Sequence, residues 1–199
     1  MRNEPFPTKR LPEMKGTWHV LQVGSGSPGV RSSVSLIVDH DQLIVVDPGM
    51  APSQSAISGP LVELGFEPGQ ITDVVISHHH PDHTVNVGMF AHARVHDHWA
   101  VYHYDKWDSR PAEGFFVSPS VLLWETPGHT PQDITTLVGT DQGLVAFTHL
   151  WFRSTGPADD PYCTDPAGIH SGRARVLEVA AFIVPGHGAA FIPDLKTPR

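Results

Sequence analysis

Between Ser77 and Ile71–Ile76 on one side and Thr84 on the other, the chain reads His78-His79-His80-Pro81-Asp82-His83, four histidines and an aspartate in one short run. Neutral imidazole and carboxylate are the donors that Zn²⁺, Fe²⁺ and Mn²⁺ share. The run therefore reads as part of a metal site. His78 and His80 are two apart, so in extended backbone their side chains leave on the same face and can chelate one ion. Pro81 sets a turn, after which Asp82 and His83 can be aimed at a neighbouring position. His79 points to the opposite face and is expected to be structural. Further donors must come from distant segments. Thr126-Pro127-Gly128-His129 and Val184-Pro185-Gly186-His187 each follow an apolar stretch with a Pro-Gly turn that can bring an imidazole back over a sheet edge. His149, after the apolar stretch 144–148, is a third candidate.

The elements that must position these side chains are short. Strands are expected at 18–23, 34–38 and 43–46, the last two forming a hairpin around 39–42 that Asp47-Pro48-Gly49 ends abruptly. Ile57, Leu61 and Leu64 mark the apolar stripe of a helix over 53–64, and 74–76 is a buried strand delivering the histidine run. Further strands are expected at 93–95, 121–125, 135–138, 144–148 and 182–184. A helix should open at Asp165-Pro166 and extend to about Ala180, with proline at its first position. Strands alternate with helices, yet many strands are hairpin-linked, so the sheets should be mixed, two in number, with helices outside. Gly24-x-Gly26 with Gly29 has neither the spacing nor the lysine of a phosphate loop.

Asp47-Pro48-Gly49, His78-x-His80-x-Asp82-His83, Pro127-Gly128-His129-Thr130 and Pro185-Gly186-His187-Gly188, in that order over residues 18–192, resemble the metallo-β-lactamase superfamily. From Asp165-Pro166 through Arg173-Ala174-Arg175-Val176-Leu177 to Gly188 the chain is most similar to the small subfamily called metallo-β-lactamase domain-containing protein one. The resemblance implies an α/β fold, an αββα four-layer sandwich of two mixed sheets with helices on both outer faces. It also implies a dinuclear site, with His78, His80 and His129 on one metal and Asp82, His83 and His187 on the other. Asp82 would both ligate and orient a metal-activated hydroxide, making it the catalytic residue. One or two zinc ions are the expected cofactor, with iron or manganese as alternatives. One departure stands out. Where many dinuclear members have Gly-Asp, whose carboxylate bridges both metals, this chain has Thr148-His149. A neutral imidazole has one lone pair to offer and cannot bridge. His149 is expected to be a terminal ligand to one metal, or to lie beside the pair. Asp47 is expected to hold a ligand imidazole from behind; Asp133 does the same or caps a turn.

At 199 residues the chain fits a single domain, with 1–16 expected as an extended N-terminal arm. Acidic residues outnumber basic ones by 21 to 13, a formal charge of −8 that argues against a nucleic-acid partner. No segment following His187 is long enough for the added domain of nucleic-acid-cleaving relatives. No apolar run suits a membrane span or a signal peptide, so a cytoplasmic protein without membrane contact is expected. The single cysteine, Cys163, excludes an internal disulfide and a thiolate-rich zinc knuckle. Most of the other histidines, His19, His40, His92, His96, His98, His103 and His170, are expected to be ordinary. Substrate contacts should lie in three loops: 24–33; 99–116 with Trp99, Tyr102, Tyr104, Trp107 and Arg110; and 150–162 with Trp151, Phe152 and Arg153. The aromatic residues suit a small organic substrate, or they pack a loop or form a homodimer contact. Arg31, Arg110 or Arg153 can meet a carboxylate or phosphate. The expected activity is metal-dependent hydrolysis of a small-molecule ester, lactone, thioester, β-lactam or phosphoester. The alternatives are a di-iron redox protein and a non-enzymatic metal-binding module on the same fold.

Overall fold

The computed structural model describes residues 11–199. In chain order the elements are β1 (Thr17–Gln22), β2 (Val34–Asp39), β3 (Gln42–Val46), α1 (Ser55–Glu63), β4 (Asp73–Val75), α2 (Pro81–Thr84), β5 (Arg94–His96), β6 (Ala100–His103), β7 (Lys106–Ser109), β8 (Phe116–Ser118), β9 (Val121–Glu125), β10 (Ile134–Thr140), β11 (Gly143–Thr148), α3 (Pro166–Leu177) and β12 (Ala180–Pro185). The first seven strands form one sheet in sequence order, and the other five form a second sheet ordered β12-β11-β10-β9-β8. Both are mixed. β3, β4 and β5 run parallel, as do β11 and β12, and the remaining neighbours are antiparallel.

The two-residue period of the strands divides their side chains between three apolar layers. Ile37, Ile44, Val46 and Val75 of the first sheet meet Leu123, Val138, Val145 and Val184 of the second between the sheets. The alternate residues Leu36, Val45 and Val74 face outward onto Ile57 and Leu61 of α1. On the far side Leu122, Leu137, Ala146 and Ile183 pack on Ile169 and Val176 of α3. The result is the four-layer αββα sandwich. Because both faces of the inner strands are covered, β2, β4 and β10 read as nearly continuous apolar or small runs rather than as clean alternations.

At the rim where β2 turns into β3, the sheets are also joined by a polar tie. The fully buried Asp39 carboxylate accepts from the Ser118 hydroxyl at 2.5 Å, the Ser120 backbone N–H at 2.8 Å and the Ser120 hydroxyl at 2.8 Å. It lies away from the rim that carries the histidines, because β2 and β3 are antiparallel and Asp39 pairs with Gln42 at the start of β3.

Two elements differ from expectation. The second long helix stops at Leu177, since Ala180 is already paired with Leu144 as the first residue of β12. The segment 99–116, expected as an aromatic loop, contains the β6–β7 hairpin and the start of β8. β7 is an edge strand exposed throughout, so its sequence Lys-Trp-Asp-Ser carries no buried alternation to read. Of the expected N-terminal arm, 1–10 lie outside the described residues; beyond them, the Glu13 and Gly16 backbone N–H groups donate to the Pro119 and Gly139 carbonyls of the second sheet. Among the described residues no helix is long and apolar enough to cross a membrane.

Candidate metal centre

The candidate donors gather at one rim because each follows the carboxyl end of a strand that runs toward it. Asp47 follows β3, His78 to His83 follow β4, His129 follows β9, His149 follows β11 and His187 follows β12. Loops at strand ends on one side of a rigid sandwich are where residues distant in sequence can meet. The turn after β3 brings Asp47 back toward the start of the histidine run, with φ of 50° at Asp47. Its Oδ1 accepts from the Ser77 N–H at 2.6 Å and its Oδ2 from the Ser77 hydroxyl at 2.7 Å. Two residues on, Gly49 passes so close to the Asp82 carbonyl that a Cβ there would lie 1.6 Å from its oxygen. The Met50 N–H then donates to that carbonyl at 3.0 Å. Asp47-Pro48-Gly49 is thus the seat on which the histidine run rests.

Two donor groups form side by side. His78 Nε2 lies 3.0 Å from His80 Nδ1, which lies 3.2 Å from His129 Nε2. Asp82 Oδ2 lies 3.4 Å from His83 Nε2 and 3.6 Å from His187 Nε2. His78, His80 and His129 form one group whose donor atoms all lie within 4.8 Å of one another, and Asp82, His83 and His187 form another. His149 joins neither of these two but groups with His78 and His83, and with His129 and Asp160. His79 stands apart, its Nε2 3.0 Å from Asp97 Oδ2.

For three of the imidazoles the nitrogen turned away from the cluster is held by an acceptor. His83 Nδ1 lies 2.9 Å from Asp47 Oδ2, His129 Nδ1 2.7 Å from Asp160 Oδ2, and His187 Nδ1 2.9 Å from the Arg31 carbonyl oxygen. Such a partner fixes the tautomer and leaves the other nitrogen's lone pair facing inward. The fit to a cation is tested by what those lone pairs meet. They converge on one another, and buried His83 Nε2 has no hydrogen-bond partner among the described residues. Buried polar atoms without partners are costly, and a cation among them removes the cost. The residues therefore suit a divalent metal, with nitrogen and carboxylate donors and no thiolate.

The titration behaviour agrees. Burial, aided by the neighbouring imidazoles, pushes His78 and His149 well below the ordinary histidine value, and burial lowers His187 as well. These rings are kept neutral, as metal ligation requires. His83 is the exception: burial pushes it down, but the Asp47 charge and hydrogen bond, with Asp82 and Asp133, raise it overall. Its surroundings favour positive charge. Burial also raises the Asp133 carboxyl to about 6 even though the Thr130 N–H and hydroxyl donate to it. Asp133 Oδ1 stands 3.8 Å from His78 Nδ1, beyond hydrogen-bond reach, so it caps its turn while facing the first donor group.

Asp160 was not among the residues singled out from the sequence. It sits in the 150–162 loop, and the buried Arg173 of α3 holds that loop by donating to the Leu150, Pro157 and Ala158 carbonyls. An acidic residue in a proline-rich loop carries no local mark of pairing with a histidine 31 positions away. Above the donors opens a cavity of about 620 Å³ lined by Gly26, Ser27, Val30, His80, Asp82, His129, Phe152, Arg153, Tyr162 and His187. Of the three expected substrate loops, 24–33 and 150–162 contribute to it and 99–116 does not.

A two-sheet αββα sandwich with an imidazole-rich donor set on one rim defines a class of metal-binding folds. The chain belongs to the metallo-beta-lactamase superfamily, which it matches over residues 27–164. It is 31% identical to metallo-beta-lactamase domain-containing protein 1 of Xenopus laevis over 94% of this chain and 86% of that one. The human protein of the same name is 35% identical over 74% of this chain and 59% of its own length. Among solved structures, a metallo-beta-lactamase candidate from Thermotoga maritima superposes with a TM-score of 0.71 at 23% identity, covering 90% of this chain and 100% of that one. A quorum-quenching N-acyl homoserine lactone lactonase gives 0.61 at 21% identity, covering 89% and 90%. A protein solved in a di-iron-bound form gives 0.64 at 18% identity, covering 86% and 94%. At these identities the structures speak to the fold.

Proposed function

We propose that the protein is a metal-dependent hydrolase of small organic substrates, with zinc as the metal and an ester, lactone, thioester, β-lactam or phosphoester as the bond cleaved. The observation that carries this reading is the pair of adjacent donor groups, His78/His80/His129 and Asp82/His83/His187, opening on one cavity. When bound, metal would polarise the scissile carbonyl or phosphoryl group and acidify a water. The chain's own residues do the rest. Asp47, Asp160 and the Arg31 carbonyl hold three imidazoles in one tautomer and one orientation. Asp82 is the one carboxylate among the described residues that line the cavity, so it is the side chain there suited to orient a water and take its proton. Phe152 and Val30 supply apolar wall, and the cavity volume lies within the range of about 300–1,000 Å³ usual for small-ligand pockets. Carbonyl substrates lead the list because the acidic net charge and the apolar wall favour small organic molecules over polyanions.

The test is metal quantitation on freshly purified protein, followed by a panel of esters, lactones, thioesters, β-lactams and phosphoesters with and without chelator. Zinc in the protein and chelator-sensitive turnover of at least one class are expected. A zinc-loaded protein inactive on the whole panel would count against a hydrolase, and coloured, iron-filled protein from aerobic purification would favour the redox chemistry this donor set also suits.

A further inference from the structure

We infer that the free edge of β7 is a self-association surface, on which a second copy of this chain pairs antiparallel through Lys106–Ser109 about a two-fold axis at Trp107. The inference goes beyond the proposed hydrolysis and does not depend on metal. β7 ends the seven-stranded sheet, all four of its residues are exposed, and among the described residues no further strand pairs with its outer side. An open edge of this kind offers a row of backbone donors and acceptors to another strand.

Which backbone groups are free follows from the hairpin. β6 and β7 pair Ala100↔Ser109, Val101↔Asp108, Tyr102↔Trp107 and His103↔Lys106. Just beyond that ladder the Arg110 N–H donates to the Trp99 carbonyl at 2.8 Å. Bonded and non-bonded pairs alternate along an antiparallel ladder, so Val101↔Asp108 and His103↔Lys106 are the bonded ones. Lys106 and Asp108 therefore turn their backbone groups toward β6, and Trp107 and Ser109 present theirs outward. A second β7 must set outward residues against outward residues, which requires the two-fold axis to pass through a residue. An axis at Lys106 would put two lysines directly opposite each other, and one at Asp108 two aspartates, both unfavourable. An axis at Ser109 would run Trp107 against Pro111, which has no N–H to give. An axis at Trp107 sets Lys106 of each copy opposite Asp108 of the other, and lets the two Trp107 backbones exchange both of their free groups.

The side chains suit this register. Among the described residues neither Lys106 nor Asp108 has an ion-pair partner of its own. Charges on an edge strand ordinarily keep other chains away. Opposite charges two positions apart on one face are instead matched by a second copy of the same strand, the self-complementarity that a two-fold contact needs. Trp107 is 65% exposed, its ring 4.8 Å from that of Tyr102, and pairing would cover it with the same ring from the other copy. Large aromatic side chains are frequent anchors of interfaces. The pairing also spares the metal centre. β7 runs parallel to β4 and β5, toward the rim that carries the donors, and its antiparallel partner runs the opposite way. The two cavities then lie at opposite ends of the joined sheet, and no β7 residue lines them.

Sedimentation equilibrium of the full chain, from micromolar to near-millimolar concentration, tests this. The wild-type mass should rise with concentration from 21.7 kDa toward twice that value. Lys106→Asp and Asp108→Lys each turn two attractive pairs into two repulsive ones and should weaken association about tenfold or more. The double variant with both changes should return to wild-type strength, because each aspartate again faces a lysine. Both side chains are exposed, so melting temperatures at low concentration should match wild type. A single-chain mass at every concentration would overturn the inference and leave the edge to a strand of another protein. A dimer that neither substitution weakens would overturn it by placing the contact on another face. Asp108→Lys lowers the net negative charge, so stronger association in that variant would also overturn it, by showing that overall charge governs. Persistent weakness in the double variant would overturn the register.

Discussion

Asp160→Ala should weaken zinc at the His78/His80/His129 position while leaving the other position unchanged. The carboxylate is buried and receives two groups, His129 Nδ1 at 2.7 Å and the Tyr162 backbone N–H at 2.8 Å. Burial would push this carboxyl up, but the hydrogen bond from His129, with further help from Tyr162, holds it below its ordinary value, so it is anionic at neutral pH. Losing it frees the His129 ring to rotate and to change tautomer, the two degrees of freedom that aim Nε2 at the cluster. Hydrogen bonds to charged groups contribute about 1.5–3 kcal/mol. Partners standing behind metal ligands are worth about 10–100-fold in affinity, which is about 1.4–2.8 kcal/mol. The two routes agree, so a loss of about 10–100-fold is expected. Asp160→Asn keeps an acceptor oxygen and should fall at the low end. The assay is chelator competition resolved into two binding steps, with the melting temperature of metal-free protein as control. Unchanged zinc affinity in Asp160→Ala would refute the reasoning. Equal weakening of both steps would show that the 150–162 loop had moved as a whole.

The tie at the opposite rim should affect stability without touching metal. Asp39→Asn removes the charge on which three buried donors converge and should cost about 3 kcal/mol in chemical denaturation. Burial pushes the Asp39 carboxyl up, but bonds from Ser118 and Ser120 bring it below its ordinary value. The stability it contributes is therefore fully present above the unfolded pKa of about 3.9 and is lost as pH falls through the lower folded value; a variant whose acid unfolding matches wild type would contradict this. Gly49→Ala should displace the Asp82 backbone, because the new methyl would overlap its carbonyl, and should lower both melting temperature and second-ion affinity; a stable variant with normal zinc binding would show that the turn can yield. Asp82→Asn should lower turnover by orders of magnitude in a folded protein, and near wild-type rates on any substrate the panel identifies would exclude its role. The Arg153 side chain lines the cavity and makes no hydrogen bond or ion pair with the described residues, so Arg153→Ala should raise KM about tenfold for carboxylate-bearing substrates and leave neutral ones alone; equal effects on both would remove it from recognition.

How legible these features are in the sequence depends on where their determinants lie. Strands 34–38, 43–46 and 121–125 can be read to within a residue or so because they are buried and bounded by polar turns. The β6–β7 hairpin cannot, because Lys106–Ser109 pairs through its backbone at an exposed edge and its side chains report nothing. Among the donors, His78 to His83 form a local pattern, and His129 and His187 each follow a strand with a Pro-Gly turn that repeats the same solution. Asp47 is legible for a related reason, since an aspartate beginning a sharp turn after a strand is suited to hold something from behind. Asp160 has no such mark. Its pairing with His129 is made by Arg173, which belongs to a helix packed beneath the loop and acts on carbonyl groups that any residue type would provide.

This difference between local and assembled determinants bears on what the two rims of the sandwich do. Gathering several imidazoles with facing lone pairs opposes folding in the absence of a cation, and no apolar packing at that rim can remove the cost of an unpartnered atom such as His83 Nε2. The cost is offset elsewhere, by three apolar layers that run the length of the strands and by the Asp39 tie at the other end. A metal that binds the folded chain then adds stability in proportion to its affinity. The two contributions act on different groups of residues, too far apart to share partners, so their effects should add. A chain weakened at Asp39 should therefore depend on zinc for its fold more visibly than wild type, with the same zinc-induced stabilisation from a lower starting point. Unequal stabilisation would mean that the rims communicate through the core.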